Sequence, residues 1–363
     1  MYKIVQMTRL GQESYQESRS VVYKEINRML YENKKVFQVK EKSKWITERF
    51  PEGHVLFPGT FLIDEAEFID SIGFDKTEAD SVEVLSEVKL PNKIAFLDGK
   101  NCAPFCANPF RLFFSAYGLH VDWITDKEIR EGKLAHYDLL IIPGGPDAGE
   151  SYYEGLGDKG YEEIRNFVQN GGLYLGSCAG SYFPLKAESD TPQSDVWLNM
   201  IEVTDNHGLD YWRTGTGFVR IEFEDVAHPV ANSLALGKPS TMDVIYWEGP
   251  AFDILDSAEV NVIARYKNFL ASGAKLPSWS LENNQIAKDA MEWSNPLTEE
   301  RFNAHLKDYP AIIEASFGKG HMVLLSPHAE FGTCGTEHSM EDNPNFVLLM
   351  NSIYYLSTKE EES

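Results

Sequence analysis

Cys178 stands in Gly176-Ser-Cys-Ala-Gly180, directly behind the apolar run Leu173-Tyr-Leu175. A thiol does acyl chemistry as its thiolate. A tight turn from strand to helix exposes the sulfur and aims unpaired backbone N–H groups and the positive end of the helix dipole at it. Small neighbours are the steric requirement of such a turn, although a closely packed structural cysteine would use the same residues. A base is offered by Ser326-Pro-His-Ala-Glu330. In a segment leaving a strand, residues two apart point the same way, so Glu330 can fix the tautomer of His328 while the other ring nitrogen takes the thiol proton. An isolated pair of this kind is commonly a surface contact; its place late in the chain, behind an apolar strand, argues for more. Ile141-Ile-Pro-Gly-Gly-Pro-Asp147 is the third piece. N–H groups near Gly144 or Gly145, joined by that of Ala179, would receive the oxyanion of an attacked carbonyl, unless the segment is an ordinary Pro-Gly turn.

Around this set, Ser181, Tyr182, Tyr246, Trp247 and Glu248 are candidates for substrate binding, an aromatic wall with one carboxylate to orient a polar or cationic ligand; core packing is the alternative. Asp147 either bonds substrate or is a surface turn residue. Cys102, Cys106 and Cys334 are expected as free thiols, with a redox pair or a place beside the site as the other reading of Cys102 and Cys106. His207, His228, His305 and His338 lack the i, i+4 spacing of a zinc helix and no Cys-x-x-Cys accompanies them, so no metal is expected. No glycine pattern matches a phosphate loop, and no cofactor is expected.

These residues need a scaffold that delivers them to one edge. From Lys93 the pattern alternates: Ile94–Leu97 as a strand, a helix over 110–117 closed by Gly118, a strand over 120–124, and Leu139–Ile142. A helix through Tyr161, Ile164, Phe167 and Val168, capped by Gly171-Gly172, precedes the strand that carries Cys178. Such alternation implies α/β architecture with a parallel sheet flanked by helices. Residues 188–306 read as an irregular β and loop insertion, with strands at 218–221, 244–247 and 260–266. A hairpin over 311–317 and 321–326 turns at Gly318-Lys-Gly320, and Asn343-Pro344 should cap and begin a closing helix.

The chain divides at about residue 92. Residues 1–92 are an acidic α/β extension of unknown role containing one amphipathic helix (Val22, Ile26, Met29, Leu30), residues 93–358 form the main domain, and 359–363 are an acidic tail. Nine acids lie between Asp64 and Glu87 against a single Lys76. They form a solvated face, or a surface that repels anions or docks a basic protein partner. In the whole chain 33 Lys and Arg meet 56 Asp and Glu, a net charge of −23, which excludes nucleic acid as a partner. Among the 363 residues there is no apolar run of signal-peptide or membrane-spanning type. We expect a cytoplasmic protein with no membrane contact and reduced cysteines.

Four segments carry a resemblance: Pro143-Gly-Gly145, 171–182, Tyr246-Trp-Glu-Gly-Pro250 and 318–330. Together, and in this order, they resemble the class I glutamine amidotransferase superfamily, and within it the family typified by the amino-terminal domain of eukaryotic biotin–protein ligases. The resemblance spans about residues 93–358. It implies a flavodoxin-like fold, with Cys178 as nucleophile, His328 as base and Glu330 as third member. Class I glutaminases carry Gln two residues beyond the glycine of the elbow; here Gly180 is followed by Ser181 and Tyr182, so the implied substrate is an amide or short peptide other than free glutamine. Nothing in the chain resembles the ligase catalytic domain. The expectation is a cysteine-nucleophile hydrolase or amidotransferase-like enzyme. The alternatives are a non-catalytic small-molecule-binding or regulatory module of the same fold and, third, a thiol sensor pairing Cys178 with Cys102 or Cys106.

Overall fold

Every residue of Ile94–Leu97 and of Leu139–Ile142 is buried, as strands covered on both faces must be. The computed structural model describes residues 2–9, 19–47, 50–64, 66–67, 72–77, 85–100, 102, 104–145, 150–187, 197–205, 214–232, 241–256, 258–272, 296–332 and 340–359. Asp147, His207, Cys334 and His338 lie outside them, as does much of the acidic run between Asp64 and Glu87.

The main sheet is built from β8 (Ile94–Leu97), β9 (Val121–Ile124), β10 (Leu139–Ile142), β11 (Leu173–Ser177), β13 (Thr216–Phe223), β14 (Thr241–Trp247), β16 (Val260–Ser272), β17 (Pro310–Phe317) and β18 (Gly320–Leu325), in the order β14-β13-β16-β17-β18-β11-β10-β8-β9. Strands β9, β8, β10, β11 and β18 are mutually parallel. Numbered by their appearance in the chain they run 2-1-3-4-5, the flavodoxin order, whose ligand crevice opens at the carboxyl ends of the strands where the order reverses. From β17 outward the pairing is antiparallel. The stretch expected as an irregular insertion thus extends the sheet itself through β13, β14 and β16, while β12 (Val203–Asp205) and β15 (Phe252–Ile254) pair apart from it.

Strand alternation splits the core into two faces. Ile94, Phe96, Leu139, Ile141, Leu173 and Leu175 pack with α2 (Pro104–Tyr117) and α7 (Phe346–Lys359). Ala95, Leu97, Leu140, Ile142 and Tyr174 pack with α3 (Asp126–Arg130) and α4 (Glu150–Gln169). Between them fall the short helices α5 (Ala179–Tyr182) and α6 (Glu299–His305).

In residues 1–92 strands accompany the helix. Strands β1 (Tyr2–Arg9), β2 (Val36–Val39), β5 (Phe61–Asp64), β6 (Ile72–Thr77) and β7 (Leu85–Glu87) form a second sheet in the order β6-β1-β5-β2-β7, with β3 (Ser43–Trp45) and β4 (His54–Leu56) as a separate hairpin. Its short strands carry little periodicity for a sequence reading to detect. Helix α1 (Arg19–Tyr31) buries Val22, Ile26 and Met29 against the core that α2 and α7 share. Asn27, with no exposed surface, ties the parts together: its amide donates to the Tyr117 carbonyl at 2.7 Å and its oxygen accepts from the Tyr354 hydroxyl at 2.6 Å.

Helix α2 begins at Pro104 rather than near 110, and α7 begins at Phe346 rather than at Pro344. Asn343 is engaged before that helix starts. Its side-chain oxygen accepts from the Asn345 N–H at 2.9 Å and its amide donates to the Glu330 carbonyl at 3.1 Å.

Candidate active site

Strand β11 hands directly into the turn at Cys178, and the main chain there leaves the ordinary regions: Cys178 has φ 51° and ψ −111°. A non-glycine residue holds positive φ only when its surroundings over-determine it. Here the Cys178 N–H donates to the Leu325 carbonyl at 2.9 Å, fixing it to the end of β18, and its own carbonyl accepts from Ser181 and Tyr182 as α5 begins. The flanking glycines are required by contact. A Cβ on Gly176 would strike the Gly180 carbonyl, and one on Gly180 would strike the Ile142 carbonyl. The thiol donates to the Trp247 carbonyl at 3.4 Å and also meets the His328 side chain.

His328 leaves the end of β18 and is pinned by its backbone N–H to the Ile245 carbonyl at 2.8 Å. Its Nδ1 lies 2.7 Å from Oε1 of Glu330, and the two side chains are only 2% and 0% exposed. Burial alone would lower the imidazole pKa. The charges on Cys178 and Glu330 and hydrogen bonds to both outweigh that burial and carry it up to about 10. The ring thus lies between a thiol and a carboxyl group whose charges favour its protonated form.

The loop after β10 closes the third side. Gly144 sits so near that a Cβ there would lie 2.8 Å from Cys106 Sγ and 3.1 Å from His328 Cε1. The Pro143 carbonyl accepts from the Gly180 N–H at 3.1 Å and from the Tyr152 hydroxyl. Gly145 is half-buried beside it, and Ala179 is the first residue of α5.

The remaining sequence candidates sort themselves by contact. Ser181 is fully buried and its hydroxyl donates to the Leu325 carbonyl at 2.7 Å, which makes it a brace between α5 and β18. Tyr246 is likewise buried, its hydroxyl shared with Thr214 and donated to the Gly249 carbonyl at 2.7 Å. Tyr182 donates to the Glu248 carbonyl at 3.2 Å. The Trp247 ring stands 6.2 Å from those of His328 and Phe331. Glu248 has φ 49°, and burial pushes its carboxyl up to about 8 against the opposing charge of Arg301.

Two more residues meet the His328–Glu330 pair: Ser177, which had no assigned role, and Cys106, for which a place beside the site was one of the readings. Ser177 donates to the second oxygen of Glu330 at 3.1 Å, so both carboxylate oxygens are held. It lay inside the cysteine motif, and only the pairing of β11 with β18 shows what it faces. Cys106, in the first turn of α2, has its sulfur within 4.8 Å of a His328 ring nitrogen and a Glu330 oxygen. Burial, then the charges of Glu330 and Cys178, push its thiol far above the usual cysteine range. With His328 and Glu330 already bonded to one another, this grouping reads as part of the acid–base cluster. Cys102, Cys106 and Cys178 are all free thiols.

This is a mixed α/β protein with its polar cluster at the carboxyl edge of a flavodoxin-ordered sheet. Residues 106–362 match the family described as the biotin-protein ligase N-terminal domain, and the chain belongs to that family. It is 43% identical over 201 residues to the biotin–protein ligase of Schizosaccharomyces pombe, a match covering 54% of this chain and 26% of that one. An uncharacterised protein of Chlamydia muridarum is 51% identical over 196 residues, covering 53% of this chain and 60% of that one. The aligned part thus spans about a quarter and three-fifths of these relatives. A solved glutamine amidotransferase from Thermotoga maritima aligns with a TM-score of 0.40 at 13% identity, over 72% of this chain and 97% of that one. No helix among the described residues is long and apolar enough to cross a membrane.

Proposed function

We propose that the chain is a cysteine-dependent amidase or acyl transferase acting on a small amide or short peptide. The observation that carries this reading is the positive-φ turn that sets Cys178 against a buried, doubly bonded His328–Glu330 pair. In the proposed reaction the Cys178 sulfur adds to the amide carbonyl carbon, and the oxyanion is received by N–H groups near Gly144, Gly145 and Ala179. The imidazolium of His328 gives its proton to the leaving amine as the C–N bond breaks, leaving a thioester and a free amine. Water, or another nucleophile, then gives a proton to His328 and displaces the thiolate as the acyl group departs. Glu330 keeps the ring oriented throughout.

Release of ammonia from free glutamine is not proposed, since Ser181 and Tyr182 occupy the positions after Gly180.

The test is the rate of Cys178 alkylation by iodoacetamide as a function of pH, followed by peptide mass spectrometry in the native chain and in His328→Ala. The expected result is a fast reaction that slows about 10- to 100-fold in the variant. The native profile should lack an imidazole inflection near 6.5 and show one near 10. A slow reaction indifferent to the mutation overturns the proposal and leaves a non-catalytic binding module.

A further inference from the structure

Glu248 lies beside this cluster and serves none of the steps above. Its Oε1 is buried without a hydrogen-bond partner. An unpaired buried carboxylate oxygen is costly, and a non-glycine residue at φ 49° adds backbone strain; both persist only where the surroundings enforce them. The enforcement is visible. The Glu248 N–H donates to the Gly215 carbonyl at 3.3 Å, its carbonyl accepts from the Tyr182 hydroxyl, and the Gly249 that follows abuts the Ser326 carbonyl so closely that no Cβ would fit.

Its main chain is at the nucleophile. The carbonyl of the preceding residue, Trp247, takes the hydrogen bond of the Cys178 thiol. The Tyr182 hydroxyl lies within the electrostatic reach of both Cys178 and Glu248. An indole and a carboxylate are groups that recognise an organic cation, through the ring face and a charge-assisted hydrogen bond.

We propose that Glu248, with Trp247, is the recognition site for a protonated amino group, so that the substrate is an amide or acyl compound carrying a primary ammonium near its scissile carbonyl. This deepens the cysteine-nucleophile reading and rests on it. The missing hydrogen-bond partner of Oε1 is then supplied by the substrate, whose positive charge adds to that of Arg301 in opposing the cost of burying the carboxylate.

The test uses three methanethiosulfonates of similar length, each forming a mixed disulfide on Cys178 and releasing methanesulfinate: the neutral 2-hydroxyethyl reagent, the cationic 2-aminoethyl reagent and the anionic 2-sulfonatoethyl reagent. Rates at Cys178 are read by peptide mass spectrometry at pH 9 in the full chain, in Glu248→Gln and in Glu248→Ala. The expected result in the native chain is a ranking of cationic above neutral above anionic. In either variant the cationic-to-neutral ratio should fall about tenfold. Taking the ratio within each protein cancels any general change in folding or thiol reactivity. A fast neutral reaction with a ratio that the Glu248 variants leave unchanged overturns this inference while sparing the nucleophile. A slow neutral reaction, indifferent to His328→Ala, overturns the nucleophile itself, and this inference with it.

Discussion

Glu330 spends both its oxygens, one on His328 Nδ1 and one on the Ser177 hydroxyl. Ser177 is 1% exposed, so removing its hydroxyl leaves a buried carboxylate oxygen short of a donor. Ser177→Ala should slow Cys178 alkylation about fivefold and move the high-pH inflection of His328, measured by rate against pH, whereas a purely structural role would leave that inflection in place. Glu248 makes the opposite kind of prediction. Its carboxyl is raised from about 4.5 to about 8 by burial, so the folded state holds its proton more tightly than the unfolded chain does. Its contribution to stability is fully present below about 4.5 and is lost as pH rises through about 8. Glu248→Gln, which carries no charge, should therefore match the native chain near pH 4.5 and exceed it at pH 9 by on the order of 2 kcal/mol, read from denaturant midpoints. Equal stability at both pH values would mean that the carboxylate is not desolvated.

The site exists because four chain segments end at the same edge. Strands β10, β11 and β18 are adjacent and parallel, so the loop at Gly144, the turn at Cys178 and the segment bearing His328 leave the sheet together. Strand β14 reaches them differently, through an isolated bridge between Ile245 and His328 that brings Trp247 and Glu248 alongside. The turn after β11 tolerates little. Gly180→Ala would drive its Cβ into the carbonyl at the end of β10, with a cost of about 2–4 kcal/mol in stability and loss of fast Cys178 alkylation. A thermal melt with the alkylation assay on the same variant checks both. Should the variant melt like the native chain, the close approach of β10 to the turn is not what holds Cys178 at positive φ.

Across the whole molecule, the first 92 residues are joined to the rest by a buried polar contact as well as by apolar packing. Asn27 pairs with Tyr117 of α2 and Tyr354 of α7, and Tyr23 stacks on Tyr117 with ring centroids 5.1 Å apart. The apolar face of α1, which in the sequence has no partner, is thus covered by helices of this same chain. Asn27→Ala strands a buried carbonyl and a buried hydroxyl, and should cost about 2–3 kcal/mol. Because the core is shared, the loss should appear as a lower midpoint of one cooperative transition, read alike by far-ultraviolet circular dichroism and tryptophan fluorescence. Two separated transitions, with only the first displaced, would show that the N-terminal sheet folds independently.

Local order sufficed for much of this. Period and turn residues place β8, β10, the hairpin β17–β18 and the helix behind β11, because these rest on interactions between near neighbours in the chain, and the small residues of 176–180 announce a tight turn because no larger side chain fits one. The pair His328 and Glu330 was legible for the same reason, lying two apart on one extended segment. What the sequence leaves open is every relation across the sheet. The N-terminal strands are short and weakly periodic, and the strands expected at 218–221, 244–247 and 260–266 give no sign of which sheet they join, which only pairing with distant partners decides. Ser177 faces Glu330 across 153 residues of chain, Cys178 bonds to a carbonyl 69 residues away, and Cys106 at the start of α2 meets His328 beyond the end of β18. Strain at Cys178 and Glu248 is likewise invisible in composition, since a positive φ on a residue other than glycine is imposed by the packing of the whole molecule.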